Sequence, residues 1–255
     1  MNYAFEIAAV GLQSQQFALD VIANNVANIN TPAFRRSDVR FSELVSQIAD
    51  PENPAANLSP SDSLAGVQAR AMLSIDQQGP IDRTNRGLDI AIDGPGFIEL
   101  LGPQGRSLLW RGGTLQILDD GRLGAEGLPL RASISVPRDA AAHEISSDGL
   151  ITARIGDGVE TIELGRIALV RPDEGAPLQR LDGGLYEAPP DASLTEGQPG
   201  EDGAGVLIQG AIERSNVDLN EEMIRLLIVQ RAYAANAQVA QAADQVAAIA
   251  NNLRR

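Results

Sequence analysis

Apolar residues return along the start of the chain at alternating steps of three and four, through Phe5, Ala8, Leu12, Leu19, Ile22, Val26 and Ile29, with Gln15 as the polar member of the series. That spacing predicts a helix with a continuous seam of the coiled-coil kind. The helix is expected to end near Thr31, because Pro32 disfavours helical geometry in the residue before it. Its last turns hold Asn24, Asn25, Asn28 and Asn30. Asparagine is a mediocre helix former, so this cluster needs a reason other than propensity. The seam also needs a partner. From Asp218 onward the chain is free of Gly and Pro, and Val229, Ala232, Asn236, Val239, Ala243, Val246, Ala250 and Leu253 repeat the same spacing. Small residues dominate this second seam, which would let another helix approach closely. Ser215, Asn216 and Asp218 are good N-caps, Glu221 and Glu222 suit a helix start, and Arg254 and Arg255 suit its end.

Between these helices the period changes. Residues 35–49 carry Phe41, Leu44, Val45 and Ile48 at the spacing of a short amphipathic helix. Residues 50–63, DPENPAANLSPSDS, read as a loop or flexible linker. From Val67 to about Gln209, short apolar runs such as Ile90–Ile92 and Phe97–Leu101 are separated by Asp-Gly pairs beginning at 93, 120, 148, 157 and 182. Such pairs signal hairpins, because Gly readily takes the positive φ of a tight turn. Many closely spaced strands predict an antiparallel sandwich or barrel-like body. Residues 187–205 read as an acidic, proline-rich loop leading back to the C-terminal helix. The expected fold class is therefore α+β, with N- and C-terminal helices pairing as a coiled coil and a central antiparallel β domain. Its segments are 1–49 (N-terminal helical), 50–66 (linker), 67–209 (β domain) and 210–255 (C-terminal helix).

The stretch ANNVANINTPAFRR resembles the signature of the flagellar rod and hook family of bacterial axial proteins. Three further stretches match that family in order: LDIAIDGPGFIEL (88–100), GAIERSNVDLNEEM (210–223) and VQRAYAANAQVAQAADQ (229–245). Together they run nearly end to end. The resemblance implies a non-catalytic subunit that polymerises with itself into a hollow helical tube, in contact with other rod proteins, hook protein, the surrounding rings and the export apparatus. It also implies a place in the flagellar basal body, spanning the periplasm, and export without a cleaved signal peptide. One departure is local. The family usually has Gly before the signature Phe, whereas here Ala33 follows Pro32, so the turn is expected to be built differently.

Composition narrows the alternatives. A formal net charge of −14 argues against nucleic acid, whose phosphates require clustered Lys and Arg, and against anionic membrane surfaces. No apolar run is long enough to cross a bilayer. The absence of Cys removes thiol chemistry and Cys-ligated zinc. His143 is the single histidine and lacks the partners of a triad or zinc site; its surroundings read as a polar loop. The Asp-Gly pairs lack the further ligands of a calcium loop, and Gly94-Pro95-Gly96 lacks the third glycine and the following helix of a dinucleotide site. Trp110, followed by Arg111, reads as a partly buried strand aromatic. No cofactor or metal site is expected.

The residues expected to carry assembly are Phe5, Leu12, Leu19, Ile22, Asn24, Asn25, Val26, Asn28, Asn30, Thr31 and Phe34 at one end, and Val229, Tyr233, Asn236, Val239 and Val246 at the other. Amides buried at a helix interface specify register, because a wrong alignment leaves them unpaired. Local capping before Pro32 is the competing account of Asn28 and Asn30. Within the family the alternative is a subunit from a proximal rather than distal position in the rod. From other classes come a secreted β-domain adhesin or enzyme with dimerising helices, which needs a convergent polar pocket, and an export chaperone with helical arms.

Overall fold

The computed structural model describes residues 2–44, 66–155, 160–173, 176–190, 192–201 and 203–252. The chain divides into two compact units, a helical one containing residues 1–27, 37–72 and 218–255 and a β unit containing 28–36 and 73–217. The expected linker at 50–63 and the Asp157-Gly158 pair lie outside the described residues.

In the helical unit, α1 (Asn2–Ala27) packs against α2 (Leu219–Asn252). Helix α1 stops short of the expected Thr31. Asn28 and Thr31 instead form a turn, with the Thr31 N–H on the Asn28 carbonyl at 3.1 Å and the Thr31 hydroxyl on Asn28 Oδ1 at 3.1 Å. Helix α2 is capped by Asp218, whose Oδ1 accepts the amides of Asn220 and Glu221 at 2.7 and 3.2 Å. The amphipathic helix expected at 35–49 is replaced by a strand over its described part, while 45–49 lie outside the described residues. Residues Ser37–Leu44 are strand β1, paired with β2 (Gly66–Leu73). In SDVRFSEL the apolar Val39 and Phe41 alternate with Asp38, Arg40 and Ser42, and this period of two prevails over the sparser helical spacing. Helix α1 reaches this strand pair through Ser14, whose hydroxyl donates to the Val67 carbonyl at 2.7 Å.

The β unit is a set of small sheets whose registered pairs are antiparallel. Its early strands are β3 (Ile81–Arg83), β4 (Asp89–Asp93), β5 (Phe97–Leu101), β6 (Ser107–Trp110) and β7 (Gly112–Thr114). A six-stranded sheet centres on β5 and β6, flanked by Leu185–Glu187 and Leu169–Pro172. Both of its faces are covered. Ile98, Leu100, Leu108 and Trp110 join the larger core, while Phe97, Leu109, Val170 and Tyr186 form a second one. Burial on both faces explains why FIELL and SLLW are runs of apolar residues rather than alternations. Trp110 is thus fully buried, not partly.

Two sequence expectations are corrected here. The segment 187–205 contains strand Leu194–Gly197, which pairs with Leu169–Pro172 at the sheet edge and keeps Thr195 and Glu196 exposed. His143 lies in strand Ala140–Ile145, opposite Ala153, not in a polar loop. The Asp-Gly hairpins form at 120, 148 and 182, each between paired strands, whereas Asp93-Gly94 turns the chain from β4 into β5, which lie in different sheets; all four glycines have positive φ. At Gly149 a Cβ would lie 2.3 Å from the Ile167 carbonyl oxygen, so that turn admits nothing larger.

Candidate functional site

In the helical unit, small residues set how closely the helices approach. Gly11 of α1 lies beneath Asn236 of α2, and a Cβ on Gly11 would come within 2.9 Å of Asn236 Nδ2. Nearer the end of α1, Asn25 is buried and acts as a surrogate strand. Its Oδ1 accepts the Ser37 N–H at 3.0 Å and its Nδ2 donates to the Ser37 carbonyl at 2.9 Å. The same Nδ2 lies 3.4 Å from Oε2 of the buried Glu222 on α2. Arg225, one turn along, pairs with Asp38. One asparagine thereby ties α1, β1 and α2 together.

Among the described side chains of α1, Ala8, Ser14, Ala18, Ile22 and Asn25 are buried, whereas Leu12, Leu19 and Val26 are half-buried. The seam is rotated towards small and polar residues because α1 serves both α2 and the strand pair. Phe5 lies in α1, but its side chain is outside the described residues. Asn24 and Asn30 are exposed, and Asn28 and Thr31 form the turn after the helix. On α2, Val229 and Asn236 are half-buried and Tyr233 is exposed. Val239 and Val246 are 53% and 58% exposed; the half-buried positions nearby are Ala240 and Ala243. The outward side of α2 also exposes Met223, Ile224, Leu227, Ile228 and Ile249.

The β unit holds the end of the signature stretch, residues 28–36, and here Phe34 is buried. Ala33 adopts φ 54°, the left-handed region that glycine favours, and holds it with an alanine in place. Backbone groups from 33 to 36 are paired throughout. The Ala33 N–H donates to the Glu213 carbonyl at 2.8 Å, the Asn216 N–H to the Phe34 carbonyl at 3.3 Å, and Arg180 Nη2 to the Arg35 carbonyl at 3.0 Å. The Arg36 N–H donates to Asn216 Oδ1 at 2.6 Å, and the Ser74 N–H to the Arg36 carbonyl at 2.8 Å. The Arg180 guanidinium sits 3.9 Å over the Phe34 ring.

Beneath this segment lies a buried cluster of charges. Glu213 meets Arg35 at 2.7 Å and Arg111 at 3.1 Å, and its Oε1 also accepts the Gly79 N–H at 3.0 Å. Arg111 donates to the carbonyls of Gly96, Gly94 and Ile92, and Arg35 to that of Gln77. Burial pushes the Arg111 guanidinium down to about 10 and lowers that of Arg35, with Glu213 opposing in both cases. Burial likewise pushes the Tyr186 phenol up. These charged residues escaped sequence reasoning, because Arg and Glu default to the surface. The available signal was that Arg35 and Glu213 both fall within the family-like stretches.

The arrangement is one of interlocked chain ends. Among the described residues no group of three or more His, Cys, Asp or Glu could hold a metal ion, and no helix is long and apolar enough to cross a membrane. Three family models match in order: flagella basal body rod protein over 5–35, the flagellar hook protein FlgE/F/G D1 domain over 91–153, and the flagellar basal body rod FlgEFG protein C-terminal region over 208–253. The chain belongs to this flagellar rod and hook protein family, whose members are structural proteins rather than enzymes. The likeness to flagellar basal-body rod proteins FlgG spans the molecule. That of Borreliella burgdorferi is 33% identical over 100% of both chains, and that of Agrobacterium fabrum 34% identical over 96% of this chain and 97% of its own. The flagellar hook-basal body complex protein FlhP of Bacillus subtilis is 27% identical over 97% of each.

Proposed function

We propose that this protein is a subunit of the distal part of the flagellar rod, where it polymerises into the hollow shaft that transmits torque from motor to hook. The terminal helices pair as a coiled coil within each subunit and dock outward onto the helices of neighbouring copies. The observation that carries this reading is the outward side of α2. With one side already against α1, it still presents Ile224, Ile228, Val239, Val246 and Ile249, each more than half exposed. An apolar stripe of that length on a paired helix calls for another partner. Contacts between like copies that do not close into a ring propagate as a filament. The stretches GLQSQQFALDVIANN, FSELVSQ and GAGVLIQG support the distal position over the proximal one. Partners at the ends and sides of the shaft are other rod proteins, hook protein, the surrounding rings and the export apparatus.

The test is sedimentation and negative-stain microscopy of the full chain across concentration, beside Ile228→Glu and Val239→Glu. Tubes or filaments from the parent chain, and folded monomers from the variants, are the expected result. Monomers from all three, even when seeded with isolated rods, would defeat the reading.

A further inference from the structure

The buried charge cluster has an internal order. Arg111 belongs to the middle of the chain and is fixed independently of both ends, since its guanidinium donates to the carbonyls of Gly96, Gly94 and Ile92. Glu213, from the segment leading to α2, is held by Arg111 and by the Gly79 amide. Arg35, from the N-terminal signature, has Glu213 as its carboxylate partner. Its side chain is 1% exposed, so without Glu213 it would be a cation out of water with a carbonyl as its hydrogen-bond acceptor.

We propose that these residues form a conditional latch: Glu213 docks on Arg111 first, and only then can the Ala33–Arg36 segment be fastened. Asn216 belongs to the same mechanism, because its Oδ1 receives the Arg36 N–H while its Nδ2 donates to the Gln77 carbonyl at 2.8 Å. The dependence runs one way. Losing Arg35 leaves Glu213 paired with Arg111, whereas losing Glu213 takes from Arg35 the carboxylate it touches and leaves it the weaker attraction of Asp76. Release is close to all-or-none, since Arg35 cannot leave its site while Phe34 and Arg36 on either side stay buried. A chain emerging N-terminus first therefore keeps its signature segment unfastened until residues 213–216 arrive.

The latch conceals two adjacent arginines, which makes trypsin its reporter. In the full-length monomer, cleavage after Arg35 or Arg36, followed by mass spectrometry of the N-terminal fragment, measures how often the latch opens. Glu213→Gln is expected to accelerate this cleavage on the order of a hundredfold, with the native fluorescence of Trp110 retained. Arg35→Gln is expected to leave hydrogen exchange unchanged at the Arg214 amide, which donates to the Pro80 carbonyl at 2.8 Å. Wild-type resistance in Glu213→Gln would overturn the latch. Equal loosening of Arg214 in Arg35→Gln would overturn its order. If Glu213→Gln also loses the Trp110 signal, Asn216→Ala decides, since it keeps the ion cluster. Faster cleavage after Arg36 in that variant supports the latch, and wild-type resistance overturns it.

Discussion

Arg35 and Glu213, from opposite ends of the chain, meet with Nη2 and Oε1 2.7 Å apart and with side chains 1% and 0% exposed. Buried ion pairs contribute less net stability than their geometry suggests, because both charges have left water, yet removing one partner strands the other. Glu213→Ala strands two arginines and is expected to destabilise the β unit by about 3–5 kcal/mol. Arg35→Ala leaves Glu213 with Arg111 and is expected to cost about 1–3 kcal/mol. The double variant should fall short of the sum by roughly 2 kcal/mol. Urea unfolding followed at Trp110 checks this, and strict additivity would count against a coupled cluster.

Ala33 provides a second test, because its φ of 54° is uncommon for a residue with a Cβ. The left-handed conformation costs an L-residue about 1–2 kcal/mol, which Ala33→Gly would relieve. Glycine also loses more chain entropy on folding and would forfeit one buried methyl, so the net change should stay within about 1 kcal/mol of the parent. Ala33→Val places a branched Cβ in the same conformation, at a position 2% exposed, and should cost about 2 kcal/mol or more. Thermal melts of the two variants separate these effects. A harmless valine would mean that the turn can relax to another conformation.

The architecture was legible in the sequence wherever one physical signal dominated. Two terminal helices announce themselves through long runs at steps of three and four, and the hairpins through Asp-Gly. The helix surface that is actually buried was less legible. Apolar spacing picks out Ala8 and Ile22, which are buried, together with Leu12, Leu19 and Val26, which are only half-buried, and it passes over Ser14, Ala18 and Asn25, whose burial follows from close approach and from hydrogen bonds to β1 and β2 rather than from hydropathy. Asn25 is among the amides expected at a helix interface, but its partners, Ser37 and Glu222, cannot be inferred from spacing. The charge cluster was invisible for a different reason. A buried arginine is recognisable only once its carboxylate is placed beside it, and Arg35, Arg111 and Glu213 are far apart in the chain.

Gly11 and Asn236 test how tightly the helix pair is held. Glycine in a helix interior costs about 1 kcal/mol relative to alanine, so its presence in α1 needs a steric reason. That reason is Asn236 Nδ2, 2.9 Å from where a Cβ would stand. Gly11→Ala meets only the tip of a movable side chain, and the gain in propensity should leave stability near the parent value. Gly11→Leu cannot be absorbed that way and is expected to lower the melting temperature of the helical signal, equivalent to about 1–3 kcal/mol. Adding Asn236→Ala should restore part of the loss. If it restores none, the leucine is colliding with something other than Asn236.

Asp89 sets an expectation for acid. Its carboxylate is buried, which alone would push its pKa up, but hydrogen bonds from Thr84 at 2.5 Å, Thr114 at 2.7 Å and Arg86 at 2.7 Å outweigh burial and hold it below the usual carboxylate range. Because the folded form binds its proton more weakly than the unfolded form, Asp89 contributes its full stabilisation above the unfolded pKa. The contribution fades as pH falls through the folded value. Asp89→Asn should therefore destabilise the β unit at neutral pH, by about 1–3 kcal/mol for the lost charge-assisted hydrogen bonds. The same variant should lose less stability than the parent between neutral and acidic pH, so the two curves converge at the acid end. Urea midpoints measured across that range decide the matter, and parallel curves would mean that Asp89 titrates alike in the folded and unfolded chain.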